Sequence, residues 1–365
     1  MKILNKSFDG LNIKYKGHLA ASPWTLCVGA GVSFGLVPTW YELTKNVVND
    51  AFGWSCSADD FDNIAEGTKW SLDSLLQGAS NKLEMEGFDS DEFYNLLEKH
   101  LYQDLLDTME TPLLTGALKK GLSNPRYLSK EEILALVDYF ETNHATSTLN
   151  QLAHVLSKAH GKGQLPMSVI NFNADTLLHL LIEIKYIASN NSGSSWEQPA
   201  AQFVKSFRGV QTSSRHVVPI HHCHGAISPT NNGLKKNKDS RQNIVFRESE
   251  YLEIAGTAST WAQTLCLYHA QNSKFLIIGH SLSDPNIRKW LAWSHQNHLK
   301  ELEQLLPAHK KDQAVSPRHI WINVKPQDPI QQELMEISLL HIGVRICWIE
   351  SWDQVESVMG NLLAL

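Results

Sequence analysis

Four short stretches of this chain combine residue types that could do chemistry. Asn171-Phe172-Asn173-Ala174-Asp175 puts two amides and a carboxylate within five residues. Asn173 could hold a sugar hydroxyl or a water by hydrogen bonds, and Asp175 could bind a carboxamide. The same residues also suit a turn in which Asp175 caps the following helix. His224-Gly225 pairs a side chain that titrates near neutral pH, and so suits general-base work, with a glycine that lets a ligand come close. A hydrogen-bonded histidine at a strand end is the other reading. In Gly29-Ala30-Gly31-Val32-Ser33 the glycines would let backbone N–H groups approach a pyrophosphate, with the amino end of the next helix favouring its charge. The usual G-x-G-x-x-G spacing is broken, because Phe34 takes the last position and Gly35 comes one residue late, so a plain turn also fits. In Gly279-His280-Ser281-Leu282-Ser283-Asp284-Pro285, a glycine followed by small hydroxyl residues could cradle phosphate or ribose. It also reads as an ordinary loop with Ser283 or Asp284 capping a helix.

Metal chemistry finds little support. His222 and His224 would share one face of a strand, with Cys223 between them, but no third ligand stands at a readable spacing. The five cysteines, Cys27, Cys56, Cys223, Cys266 and Cys347, form no C-x-x-C pair. No metal is expected.

The elements that must position these residues alternate. Apolar runs stopped by turn residues predict strands at Trp24–Val28, Met167–Phe172, Val217–His222, Lys274–Ile278, Arg318–Val324 and Val344–Ile349, with a further short one at Asn243–Phe246. Helical patterns follow at Glu42–Val48, at Leu177–Ile184 and from Ser249. Strands alternating with helices predict an α/β, Rossmann-like, mostly parallel sheet with helices on both faces. All four motifs sit where such strands stop, at the carboxyl ends that bind ligands in these folds.

Between Ser57 and Gln164 the strand-like runs disappear. Phe93, Leu96, Leu97, Leu101 and Leu105 fall near one helix face, and Ser129-Lys130-Glu131-Glu132 fits a capping box. The expected organisation is a Rossmann-like, dinucleotide-binding unit of residues 1–56 and 165–365 with a large helical insertion at 57–164.

The length of 365 residues allows this, and 42% hydrophobic with 19% charged residues is ordinary globular composition. A net charge of −6 argues against general attraction to nucleic acid, and the one dense basic run, Lys235-Lys236-Asn237-Lys238, reads as a solvated loop tip. No apolar run is long enough to cross a bilayer, no signal peptide is evident, and an odd cysteine count suits a reducing compartment, so a cytoplasmic location is expected.

In their order along the chain, the four motifs resemble the sirtuin-like (silent-information-regulator) superfamily. Gly29 to Ser33 resembles its opening glycine motif, and Asn171 to Asp175 its Thr-Gln-Asn-Ile-Asp or Thr-Thr-Asn-Tyr-Asp segment. His224-Gly225 resembles its catalytic His-Gly, Gly279-His280-Ser281-Leu282 its Gly-Thr-Ser-Leu or Gly-Tyr-Ser-Leu segment, and Ile322-Asn323 its later Ile-Asn. The resemblance implies cleavage of the nicotinamide–ribose bond of NAD as substrate. It makes Asn173 and His224 the catalytic pair, Asn173 orienting the ribose and the attacking water, His224 acting as general base on a ribose hydroxyl. Asp175 would contact the carboxamide, Gly29, Ala30, Gly31 and Ser33 the phosphates, and Gly279, Ser281 and Asn323 the adenosine half.

Two departures weaken a protein-deacylase reading. The four-cysteine zinc module of deacylating sirtuins is absent, and Pro38-Thr39-Trp40-Tyr41 stands where they tend to carry Asp-Phe-Arg. The helical insertion and the Ser281-Leu282-Ser283-Asp284-Pro285 segment look more like bacterial antiphage-defence effectors that hydrolyse NAD. That resemblance implies a homo-oligomer, or a partner such as a HerA-type ATPase or another defence protein, with no direct nucleic-acid or membrane contact. Protein deacylation or ADP-ribosyl transfer, and a non-catalytic NAD or ADP-ribose sensor, are the alternatives.

Overall fold

In the computed structural model, residues 7–191, 196–207, 217–229, 244–257, 260–305 and 316–365 are described. The basic run at Lys235–Lys238 and Asn243 lie outside them. Eight strands form one sheet: β1 (Phe8–Asp9), β2 (Trp24–Val28), β3 (Val169–Asn171), β4 (Phe203–Ser206), β5 (Val218–His222), β6 (Lys274–Ile278), β7 (His319–Val324) and β8 (Val344–Ile349). Their order is β1-β8-β7-β6-β2-β3-β5-β4, and every pairing is parallel. Among the described residues thirteen α-helices surround the sheet, in a Rossmann-like α/β architecture.

Two apolar layers explain why the central strands read as unbroken hydrophobic runs. Leu26, Val28, Leu276, Ile278, Ile320 and Ile322 belong to one buried cluster; the intervening Cys27, Phe275, Ile277 and Trp321 belong to a second. Period-two side chains on a sheet covered on both faces are apolar at most positions. All five residues of β2 and all six of β8 are buried.

From Gly29 to Ser168 there is no strand. Helices α1 (Trp40–Phe52), α2 (Ala58–Thr68), α3 (Leu72–Met85), α4 (Ser90–Asp107), α5 (Pro112–Ser123), α6 (Lys130–Asn143) and α7 (Thr148–His160) fill the stretch. The Ser129–Glu132 capping box is formed. Leu97, Leu101 and Leu105 of α4 join the same cluster as Leu26 and Val28, so the helical stretch and one sheet face share a core. No helix among the described residues is long and apolar enough to cross a membrane.

Three local expectations change. Strands β1 and β4 were not expected: β1 has two residues, and in β4 only Phe203 is fully buried, too little for an apolar run to register. Ile244–Phe246 forms no strand; the Val245 N–H donates to the His224 carbonyl at 3.1 Å instead. The glycine turn does not run into an α-helix. Ala30–Ser33 forms a short 3-10 helix, and α1 starts only at Trp40, capped by Thr39 with Glu42 closing the box. That carboxylate occupies the amino end of α1, so α1 does not present it to an anion.

Candidate active site

The sheet order changes direction at β2, which has β6 on one side and β3 on the other. In open parallel sheets this is where a crevice forms at the carboxyl ends. A cavity of about 670 Å³ lies there, of a size that suits one small-molecule ligand. Gly29, Ala30, Gly31, Asn173, Asp175, His224, Gly279, Ser281 and Asn323 all line it, contributed by five separated stretches of chain. Ser33 does not line it and sits behind, buried.

The glycines are required first by the chain itself. The Gly31 N–H donates to the Gly279 carbonyl at 2.8 Å. A Cβ at Gly279 would stand 2.4 Å from the Val32 nitrogen, and Gly279 has φ +64°. A Cβ at Gly29 would meet the Gly279 carbonyl at 2.7 Å. Only glycines let the loops after β2 and β6 touch backbone to backbone. This revises the expected role of Gly31, whose N–H is already engaged and is not free for a phosphate. Just beyond, Leu282 holds φ +54°, a conformation rare for a side-chain-bearing residue, and its N–H donates to His280 Nδ1 at 2.9 Å.

A buried polar chain fixes the asparagine and the aspartate. Asn171 Oδ1 accepts from the Asn173 N–H at 2.9 Å, and Asn173 Nδ2 donates to Ser33 Oγ at 3.3 Å. Ser33 Oγ donates to Asp175 Oδ2 at 2.8 Å, while Asp175 Oδ1 accepts from the Leu177 N–H at 3.0 Å. Asp175 thus serves the amino end of helix α8 (Leu177–Asn190), although Thr176 is its cap residue. Burial raises the Asp175 carboxyl above its ordinary range, against the lowering effect of the Ser33 hydrogen bond. Asn173 Oδ1 is buried and has no hydrogen-bond partner among the described residues. A buried acceptor left unpaired costs roughly 1–3 kcal/mol, which a ligand or water donor would recover.

His224 sits beyond the end of β5, in the turn closed by Gly225 at φ +70°. It therefore does not share a strand face with His222. The His222 ring packs 5.3 Å from Phe207, with Nδ1 3.4 Å from the Asn173 carbonyl. The His224 ring meets Phe172 and Tyr251 edge-on at 5.1 and 5.9 Å. Burial pulls its pKa down to about 4; the Asp284 charge opposes this and the neighbouring His280 adds to it. The imidazole is thus neutral at pH 7 and able to accept a proton. Among the described residues no group of three or more His, Cys, Asp or Glu is arranged to hold a metal ion.

Several wall residues carried no motif. Trp40, Tyr251, Trp321 and Trp352 line the cavity, and Trp321 Nε1 donates to the His280 carbonyl at 2.9 Å. Tyr102, from α4, is wholly buried behind it. Its hydroxyl donates to the Ile227 carbonyl at 2.6 Å and accepts from the Thr176 N–H at 3.2 Å. One phenol thus ties the Asn173–Asp175 turn to the segment after His224. Only their aromatic type hinted at these residues, and core packing explains an aromatic equally well.

Residues 167–340 match the SIR2-like domain family, a span that holds Asn173, Asp175, His224, Gly279, Ser281 and Asn323. No curated protein matches the chain. The glycine turn at residues 29–33 precedes the matched span, yet it is bonded directly to Gly279 within it. SIR2-like domains bind NAD and are associated with NAD-dependent enzymes, so the match points to NAD-related chemistry. By this match residues 167–340 of the chain are similar to the SIR2-like domain, which supports a relation to the sirtuin-like superfamily.

Proposed function

We propose that this protein is an NAD glycohydrolase that cleaves NAD to nicotinamide and ADP-ribose. The observation that carries the reading is the convergence of Asn173, Asp175 and His224 on one cavity at the sheet's switch point. In the reaction the nicotinamide–ribose C–N bond breaks, and its electron pair leaves with nicotinamide. A water oxygen then adds to the anomeric carbon, and one proton is released. Positive charge builds on the ribose as the bond breaks, so groups that hold the sugar and favour that charge contribute most.

The unpaired Oδ1 gives Asn173 an acceptor for a ribose hydroxyl or the attacking water. His224, neutral at pH 7, takes a proton from a ribose hydroxyl. Asp175, fixed by Ser33 and the Leu177 N–H, contacts the carboxamide. Ser33 acts through Asp175 and Asn173, not on the phosphates. Gly29, Ala30 and Gly31 lie along the pyrophosphate, and Gly279, Ser281 and Asn323 along the adenosine half.

By resemblance the protein acts as a bacterial antiphage effector that depletes NAD. It works as a homo-oligomer, or after joining a partner such as a HerA-type ATPase. The test is nicotinamide release from NAD by the purified protein, alone and with its genomic neighbours, beside Asn173→Ala and His224→Ala. Release with free ADP-ribose as product, lost in both variants, is expected. An acyl-ADP-ribose product or a labelled protein would move the reading to deacylation or ADP-ribosyl transfer. Binding of NAD with no turnover in any assembly state would leave a sensor.

A further inference from the structure

A second cavity, of about 660 Å³, lies at the opposite end of the sheet. Ser22 and Pro23 just before β2, Lys274 at the start of β6, Arg318 just before β7 and Arg345 in β8 all line it. These four strands are adjacent, in the order β8-β7-β6-β2, so the topology sets the basic residues side by side. Lys14 adds a further cation, His18 and His298 complete the wall, and among the described residues no Asp or Glu lines the cavity. In a chain of net charge −6 this is a local reversal of sign.

Arg345 is the strongest indication. It is 5% exposed, and its guanidinium lies 5.0 Å over the Phe8 ring and 5.9 Å over the Tyr15 ring. One of its terminal nitrogens touches His18 Nε2, but its Nε has no acceptor. Lys274 Nζ donates only to the His18 carbonyl, at 3.3 Å, and Arg318 donates to the Gln271 carbonyl at 2.5 Å. Among the described residues neither these three cations nor Lys14 forms an ion pair. Burial, and then the Arg345 and Arg318 charges, push the Lys274 pKa down, so these cations repel one another; Glu301 offsets this at Arg318. A buried charge without a counter-charge is costly, and guanidinium forks match phosphate oxygens in geometry.

We propose that this cleft binds a small polyphosphate, the pyrophosphate or triphosphate chain shared by free polyphosphates and nucleotides. Arg345 and Arg318 hold phosphate oxygens by their forks, Lys274 supplies a point charge, and the neutral His18 and His298 add hydrogen bonds. The inference is independent of the NAD reading, because the two cavities lie at opposite ends of the strands.

The test is thermal unfolding and isothermal titration of the full chain with tripolyphosphate, pyrophosphate and ATP at low ionic strength. Sulfate at matched ionic strength is the control for general screening. Saturating tripolyphosphate is expected to raise Tm by about 2–4 °C over the control. Lys274→Gln and Arg318→Gln should each weaken binding at least tenfold, and Arg345→Gln should abolish it. Arg345 also packs on two rings, so the two exposed-side variants keep the test sound if Arg345→Gln fails to fold. Tighter binding of ATP than of tripolyphosphate would identify a nucleotide; equal binding would show that the phosphate chain alone is read. No shift beyond sulfate, or binding unchanged in both Lys274→Gln and Arg318→Gln, would overturn the proposal. So would binding of single-stranded DNA that tripolyphosphate does not displace.

Discussion

At their carboxyl ends β2 and β6 hand over to Gly29 and Gly279, and β7 carries Asn323. At their amino ends the same three strands start from Pro23, Lys274 and Arg318. The carboxyl end is walled by tryptophans, glycine backbone and a neutral histidine, with the pKa of its carboxylate raised by burial. The amino end is walled by cations that form no ion pair among the described residues. Two cavities of similar volume thus differ in what a ligand must supply. The first is lined by aromatic rings, amides and glycine backbone, the second by lysine and arginine side chains. Residues two apart on a strand share a face; residues at its two ends share only the strand. The sheet can therefore carry opposite chemistries about five residues apart in sequence.

The largest expected effect lies at the carboxyl end. Asn173→Ala and His224→Ala should each lower nicotinamide release by ~10²–10⁴-fold with little change in Tm. An equal loss from Lys274→Gln would erase the functional distinction between the two ends.

Acid should weaken both ends together. His222, at the carboxyl end of β5, and His319, at the amino end of β7, are held by burial to about 3; His221 and His269 are held to about 4. Unfolded histidines bind a proton near pH 6.5, so the unfolded chain takes up more protons below that value. Stability from these neutral histidines is full above pH 6.5 and is lost as pH falls towards 3–4. Tm measured against pH should fall across this window; a flat profile would refute neutral burial.

Gly279→Ala comes next. The new Cβ meets the Val32 nitrogen in a backbone conformation that side chains avoid, so a loss of about 2–4 kcal/mol in chemical denaturation is expected. Gly53→Ala has positive φ but open space and should cost less, which separates backbone strain from the clash between loops.

Ser33→Ala would strand Asn173 Nδ2 and Asp175 Oδ2, both buried. A loss of roughly 1–3 kcal/mol follows, together with a further rise of the Asp175 carboxyl pKa. Titration of Asp175 by NMR would check the direction. The smallest effect belongs to Lys274→Gln without ligand: a change within about 0.5 kcal/mol, stabilising at low salt as repulsion is relieved and fading at high salt.

Legibility followed the range of the interaction. Six of the eight strands could be read because apolar runs stopped by turn residues are local signals. β1, with two residues, and β4, with one fully buried side chain, left no such signal. Ile244–Phe246 looked like a strand by composition, yet its backbone found one partner in the His224 carbonyl rather than a ladder. The motif residues Asn173, Asp175 and His224 stood out by type and position at strand ends.

The sequence by itself determined an alternating parallel α/β chain, its apolar core strands and the segments that end at the cavity, because each rests on contacts within a few residues. Tertiary structure alone decided the rest. Gly31 N–H closes on Gly279, 248 residues away in sequence, and Ser33 reaches Asp175, 142 residues away. Tyr102 anchors Thr176 and Ile227, and Arg345 faces Lys274 and Arg318 across neighbouring strands. Partners that far apart along the chain leave no periodicity or spacing between them. Strand order is what makes them neighbours, and it is set by how the helices pack on the two faces of the sheet.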